Sequence, residues 1–150
     1  MNLKILNKKQ IKEILVLIKK QWSADLTLDY AFLKDKNDKI FIINKEFAKI
    51  NLEKLRINSM GLYFAQLMPD GIRLSIEGSQ IIGPRAKKNI LELNEKQKKE
   101  WLRGNDLEIK TELKNYVILK CNKDFLGIGK IKQNKILNYI PKTRRLKTSI

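Results

Sequence analysis

LGIGKIKQNKILNYIPKTRRL, Leu126 to Leu146, alternates apolar and polar residues around Gly127 and Gly129 and carries six cations with no carboxylate: Lys130, Lys132, Lys135, Lys142, Arg144 and Arg145. The alternation predicts strands over Phe125 to Ile131 and Lys135 to Ile140, turned at Gln133-Asn134. Just upstream, Tyr116 to Cys121 reads as another strand, turned into the next at Asn122-Lys123. The second half is therefore a small, mostly β barrel, and its charge sits on folded strands. A shaped cationic face of this kind seeks phosphate.

The whole chain shares the bias, with 32 Lys and Arg against 16 Asp and Glu in 150 residues, a formal charge of +16. Residues 1–82 hold 14 basic and 9 acidic side chains, whereas residues 83–150 hold 18 and 7. Such a field concentrates polyanions without dictating fold or sequence preference. RNA or DNA, an anionic membrane face and an acidic protein are the partners it allows. If all six cations of the closing segment touched phosphate, binding would follow a log–log salt slope of about −4 to −5.5.

Hydrophobic residues make up 43% of the chain, enough for a packed core, and no apolar run approaches the roughly 20 residues of a membrane span. The start, MNLKILNKKQ, interleaves charge with apolar residues and does not read as a secretory signal. The single cysteine, Cys121, fits a reducing cytoplasm. Histidine is absent, which removes the commonest general base at neutral pH and, with one cysteine, the usual zinc sites. Lysine or carboxylate chemistry stays open, but no carboxylate pair stands at a recognisable spacing.

In the first half, Ile11, Ile14, Leu15, Ile18 and Trp22 recur at helical spacing from about Lys8 to Trp22. Lys12, Lys19 and Lys20 cover the rest of that helix, so packing over a sheet stands beside membrane-surface binding. A hairpin is expected from Tyr30–Leu33 and Ile40–Ile43, followed by a short helix capped by Asn44 and running to about Leu52. Strands over Leu62–Leu67 and Ile72–Ile76 are joined by Met68-Pro69-Asp70-Gly71, in which proline presets the turn and glycine supplies the positive φ.

Gly83-Pro84 breaks the pattern, and the basic connector Arg85-Ala86-Lys87-Lys88 leads to a strand over Ile90–Leu93. The expected domains are 1–83 and 84–150, packed together because neither half buries enough surface alone. Asn94 with Gln97 forms a variant capping box for a helix that carries Trp101 and stops at Arg103-Gly104. Gly127-x-Gly129 lacks the third glycine and the βαβ frame of a dinucleotide site. The two glycines either relieve crowding in the barrel or let an RNA backbone approach the main chain. Trp22, Trp101 and Cys121 read as core, and Tyr139 as core or a platform for an unpaired base.

Leu126-Gly127-x-Gly129-Lys130 followed by Asn138-x-x-Pro141-Lys142-x-x-Arg145 resembles the PUA-like RNA-binding domain of RsmF-type rRNA cytosine methyltransferases. Trp101-Leu102-Arg103-Gly104-Asn105-Asp106-Leu107 is similar to the xLRGxDL element of such domains, and Arg73-Leu74-Ser75, Gly78 and Gly83 look like the segment that precedes it. Free-standing archaeal proteins of the Nol/Nop/Fmu ribosome-biogenesis family look similar over most of this length. The resemblance implies an α+β chain, an N-terminal α+β module packed on a C-terminal PUA-like mixed β pseudobarrel. It does not imply methylation, since the chain lacks the Pro-Cys motif, Cys121 following Lys120.

On this reading the protein is a non-catalytic, cytoplasmic RNA-binding protein of rRNA or tRNA maturation, with no cofactor and no metal. Lys130, Lys132, Lys135, Lys142, Arg144 and Arg145 would grip phosphate, and Arg85, Lys87, Lys88 and Arg103 would form a second patch. Gly127 and Gly129 would admit the RNA backbone, Asn138 would supply a directional hydrogen bond, and Tyr139 would stack. A modification enzyme recruited through the first half, or a pre-ribosomal particle, is the further partner.

Overall fold

The computed structural model describes residues 3–50 and 61–147. A capping box starts the first helix, α1 (Lys8–Trp22): Gln10 N donates to Asn7 Oδ1 at 2.8 Å and Asn7 N to Gln10 Oε1 at 2.9 Å. It ends at Ser23, which takes the left-handed conformation at φ 51°. Ile14, Ile18 and Trp22 are buried, so the apolar stripe is a packing face. The sheet beneath is an antiparallel meander of β1 (Lys4–Ile5), β2 (Tyr30–Lys34), β3 (Lys39–Asn44), β4 (Leu62–Met68) and β5 (Gly71–Leu74), in that order. Gln21 pins helix to sheet, its amide nitrogen donating to Ile72 O and its oxygen accepting from Ile72 N.

After β3, Asn44 Oδ1 accepts from Glu46 N at 2.8 Å and α2 (Lys45–Ile50) follows; the expected continuation to Leu52 lies outside the described residues. Ile76, which alternation assigns to a strand, instead opens α3 (Ile76–Ile82). Ser75 accounts for the change, because its hydroxyl accepts from Gly78 N at 2.9 Å and caps the new helix. A short 3-10 turn, Gly83–Arg85, closes it.

The second sheet has the order β6-β8-β9-β10-β7: β6 (Ile90–Glu92), β8 (Asn115–Cys121), β9 (Asp124–Lys132), β10 (Lys135–Asn138) and β7 (Leu107–Glu108). It is mixed, since β6 runs parallel to β8 while the other pairs are antiparallel. Between β6 and β7 lies α4 (Glu95–Leu102), started by the Asn94–Gln97 capping box. The architecture is α+β. The two-residue strands β1 and β7 are too short for any periodicity to reveal.

One hydrophobic core joins the sheets. Ile18, Trp22, Phe32, Phe64 and Ile72 pack in the same cluster as Tyr116, Ile118 and Ile128, while Trp101, Val117, Leu119 and Ile136 form a second cluster with β8 residues of opposite parity. Strand β8 is thus buried on both faces, which explains its continuous apolar run.

Helix α3 forms the joint. Ser79 is fully buried; its hydroxyl donates to Ile76 O at 2.6 Å and accepts from Gly127 N of β9 at 2.9 Å. Beside it, a Cβ on Gly78 would come within 2.2 Å of Phe64 O, so only glycine lets α3 lie this close to β4. Gly78→Ala is expected to destabilise the fold by about 1–3 kcal/mol, as overpacking does, read as a lowered Tm. An unchanged Tm would mean that α3 is not held against β4.

Candidate nucleic-acid interface

The β9–β10 hairpin carries the expected cations, and its register decides what they can do. Lys132 and Lys135 are direct cross-strand partners, flanking Gln133 and Asn134, which both sit at positive φ (50° and 63°). Both lysines are exposed, and neither forms an ion pair with a described carboxylate. On its other side Lys135 neighbours Glu108 of β7. Like charges directly opposite one another destabilise a hairpin, and a phosphate lying across it would relieve the repulsion.

Three other cations of the closing segment, Lys130, Arg144 and Arg145, do not share this freedom. Lys130 Nζ lies 2.5 Å from Asp70 Oδ2, and Arg144 Nη1 bonds to Glu77 Oε1. Both acids come from the first half of the chain, so the segment is free of carboxylates in sequence and not in space. Asp70 also accepts from the Tyr116 hydroxyl at 2.9 Å. The Lys130 ammonium holds the Asp70 carboxyl below its ordinary value of 3.8, against an opposing effect of burial. Burial, reinforced by the bond to Asp70, pushes the Tyr116 phenol up. Arg145 Nε donates to Ile140 O at 2.9 Å, and its side chain runs over Gly104, whose φ of +92° and missing Cβ make the room. Lys142 is exposed and, among the described residues, has no ion pair.

Three of the expected contact residues are engaged within the protein. Gly129 makes room for the core, since a Cβ there would lie 2.3 Å from Ile136 Cγ2 and 2.9 Å from the Trp101 ring. Gly127, buried at φ +98°, spends its N–H on Ser79 and faces Ile76. Asn138 spends both amide hydrogens inside the protein: Nδ2 donates to Trp101 O at 2.8 Å and Asn105 O at 3.0 Å, while Oδ1 accepts from Ile140 N at 2.8 Å. Its backbone N–H goes to Asp106 Oδ1. The Asn-x-x-Pro and Leu-Arg-Gly-Asn-Asp segments are thus two sides of one internal clasp.

The second basic patch is not assembled either. Lys87 and Lys88 are tied by their backbone N–H groups to Trp22 O, beside β6 at one edge of the sheet, and Arg85 precedes them in the same connector. Arg103 ends α4, which the Asn138 clasp holds against β10 near the other edge, and it pairs with Glu100 at 3.0 Å. Tyr139 is half-buried, with the Arg73 guanidinium carbon 4.5 Å from its ring centroid. Arg73, Lys39 and Tyr63 line a cleft with Tyr139 and Arg144. Nothing in the composition singled out these first-half residues as site residues, since only pairing of β4 with β5 and packing through α3 bring them there.

A mixed five-stranded sheet with a helix spliced between β6 and β7, clasped by an asparagine to the helix end, is consistent with a PUA-like fold, and that class supports an RNA-binding role. Residues 88–146 match the model of the family described as methyltransferase RsmF PUA domain. Relatives are proteins named ribosomal RNA small subunit methyltransferase F: that of Erwinia tasmaniensis is 26% identical over 91% of this chain, and that of Shewanella oneidensis 27% over 89%. The protein of that name from Aeromonas salmonicida is 26% identical over 71% of this chain. The chain spans 28%, 28% and 22% of the length of these three relatives, about a quarter of each.

Two expectations follow. Asn138→Ala strips partners from two carbonyls and one N–H and should cost about 1–3 kcal/mol, read by denaturant unfolding; no loss would exclude the clasp. The folded-state value of Asp70 is depressed, so its contribution is present above pH 3.8 and lost as the pH falls through that lower value. Asp70→Asn should therefore flatten the acid limb of Tm against pH, while an unchanged limb would show that the Lys130 pair contributes nothing.

Proposed function

We propose that this chain is a non-catalytic RNA-binding protein of rRNA maturation or ribosome biogenesis, with tRNA maturation as the nearest alternative, and that it works in the cytoplasm. The observation carrying the RNA-binding part is the cross-strand pair Lys132 and Lys135, exposed on a PUA-like domain without ion-paired carboxylates among the described residues. These two lysines and Lys142 make the main phosphate grip. Arg85, Lys87, Lys88 and Arg103 are accessory, and Lys130, Arg144 and Arg145 first have to leave their internal partners. The names of the relatives support rRNA as the target. The functional division falls at residues 1–83 and 84–150, the second unit being the one that holds RNA. The absence of catalysis in these residues is supported by the state of Cys121. That thiol is buried, and burial with the Glu95 carboxylate pushes its pKa up, away from the thiolate.

A second reading, recruitment of a separate RNA-modification enzyme through the first half, is favoured by α1. Val16 and Leu17 are 56% and 39% exposed on that helix, with Lys9, Lys12 and Glu13 around them. Stoichiometric copurification of a methyltransferase that is lost in Val16→Asp would support this reading, whereas a lone monomer would remove it.

Lys132→Glu with Lys135→Glu should abolish most RNA binding, and Lys12→Glu with Lys19→Glu should change it little, measured by filter binding at moderate salt. With three unpaired cations in the grip, the log–log salt slope should be about −2 to −3. Equal effects of the two double variants, or a slope near zero, would overturn the assignment.

A further inference from the structure

The cleft between the two sheets has a chemistry that phosphate gripping alone does not use. Its volume is about 210 Å³, and it is lined by Lys39 and Tyr63 of the first sheet, Arg73 of β5, Glu77 of α3, and Tyr139 and Arg144 of the closing segment. Two phenol rings therefore meet three cations and one carboxylate. The carboxylate, Glu77, is already engaged by Arg144. Arg73 lies over Tyr139 at 4.5 Å and donates to Gln66 Oε1 at 2.8 Å, which fixes the guanidinium plane. Lys39 Nζ stands 5.6 Å from the Tyr63 ring centroid. Burial raises the Tyr63 phenol, keeping it neutral and able to donate a hydrogen bond.

The volume is below the roughly 300–1,000 Å³ of clefts that enclose a whole small-molecule ligand. It suits one unit of a polymer. Flat aromatic and guanidinium faces accept a nucleobase, and the rim cations accept the phosphate attached to it. Register supplies the path: by alternation Lys135, Leu137 and Tyr139 lie on the same side of the segment that begins as β10. About 13 Å of strand separates Lys135 from Tyr139, and exposed Lys142 follows just beyond. A backbone held at the hairpin thus passes the mouth of the cleft.

We propose that the cleft between the sheets receives a single unpaired nucleotide of the bound RNA, stacked by Tyr139, Tyr63 and the Arg73 guanidinium, with Lys39 and Arg144 on its phosphate. The assignment rests on the RNA-binding reading above. Arg144 exchanges Glu77 for the phosphate as the nucleotide enters. Specificity for an unpaired nucleotide is then set by both halves of the chain, and affinity by the hairpin.

The test uses the 150-residue chain and two RNA hairpins of equal length, one with 2-aminopurine as a single-nucleotide bulge and one with it paired. The bulged hairpin should bind about tenfold more tightly, with its fluorescence quenched on binding. Arg73→Met should bring the two hairpins to equal affinity and remove the quenching. Lys39→Ala, at the rim and away from the Tyr139 contact, should reduce the preference without changing Tm, which separates loss of the site from loss of the fold. Lys132→Glu with Lys135→Glu should weaken both hairpins alike. Equal binding of the two hairpins without quenching would overturn the cleft and leave the RNA-binding reading standing. No binding of either hairpin would overturn both.

Discussion

Contact between α3 and the two sheets is the constraint on which the rest of this structure depends. The Ser79 hydroxyl, out of reach of water, must satisfy itself within the protein, and it does so by holding Gly127 N of β9. Gly78, one residue away, lets the same turn of helix press on Phe64 O of β4. Both contacts hold the sheets on the single core that runs from Trp22 through Phe64 to Ile128. The positions of Asp70 and Glu77 against Lys130 and Arg144 follow from this joint, as does the cleft lined by Arg73 and Tyr139.

That joint reshapes the electrostatics. A run of cations without intervening acids reads as one uniform grip, yet two of its members are paired through space and a third, Arg145, is laid against Gly104 and Ile140 O. Such exposed pairs contribute little to stability. Within the closing segment they leave Lys132, Lys135 and Lys142, at the hairpin and in the turn after β10, as the exposed cations without an ion pair among the described residues. Confined charge favours a defined path for a polyanion over a diffuse coating.

The glycines and Asn138 of the closing segment show how one motif supports two readings. Small residues at alternating strand positions, followed by an asparagine, look like provision for a ligand, and here they meet the chain's own Trp101 and Ile136 side chains and the carbonyls of Trp101 and Asn105. Packing density explains it. In a small barrel the space left by a missing Cβ is filled at once by a neighbouring side chain, and a half-buried amide beside backbone carbonyls donates to them.

By itself the sequence determined the local elements: α1 from its stripe and capping residues, the strands of the second half from alternation, and the turns at Asn122-Lys123 and Gln133-Asn134, where Asn122, Gln133 and Asn134 adopt positive φ. It also carried the PUA-like resemblance, in the spacing of Gly129 and Asn138, which both meet Trp101 at the end of α4. Helix α3, β1 and β7 were not legible, being too short or too mixed for a period to register. Only the tertiary structure decided which cations stay unpaired and that Lys39, Tyr63 and Arg73 stand beside Tyr139. Those residues stand 60 to 100 positions apart, and no local pattern of charge or hydrophobicity encodes which distant side chain a fold will bring within a few ångströms.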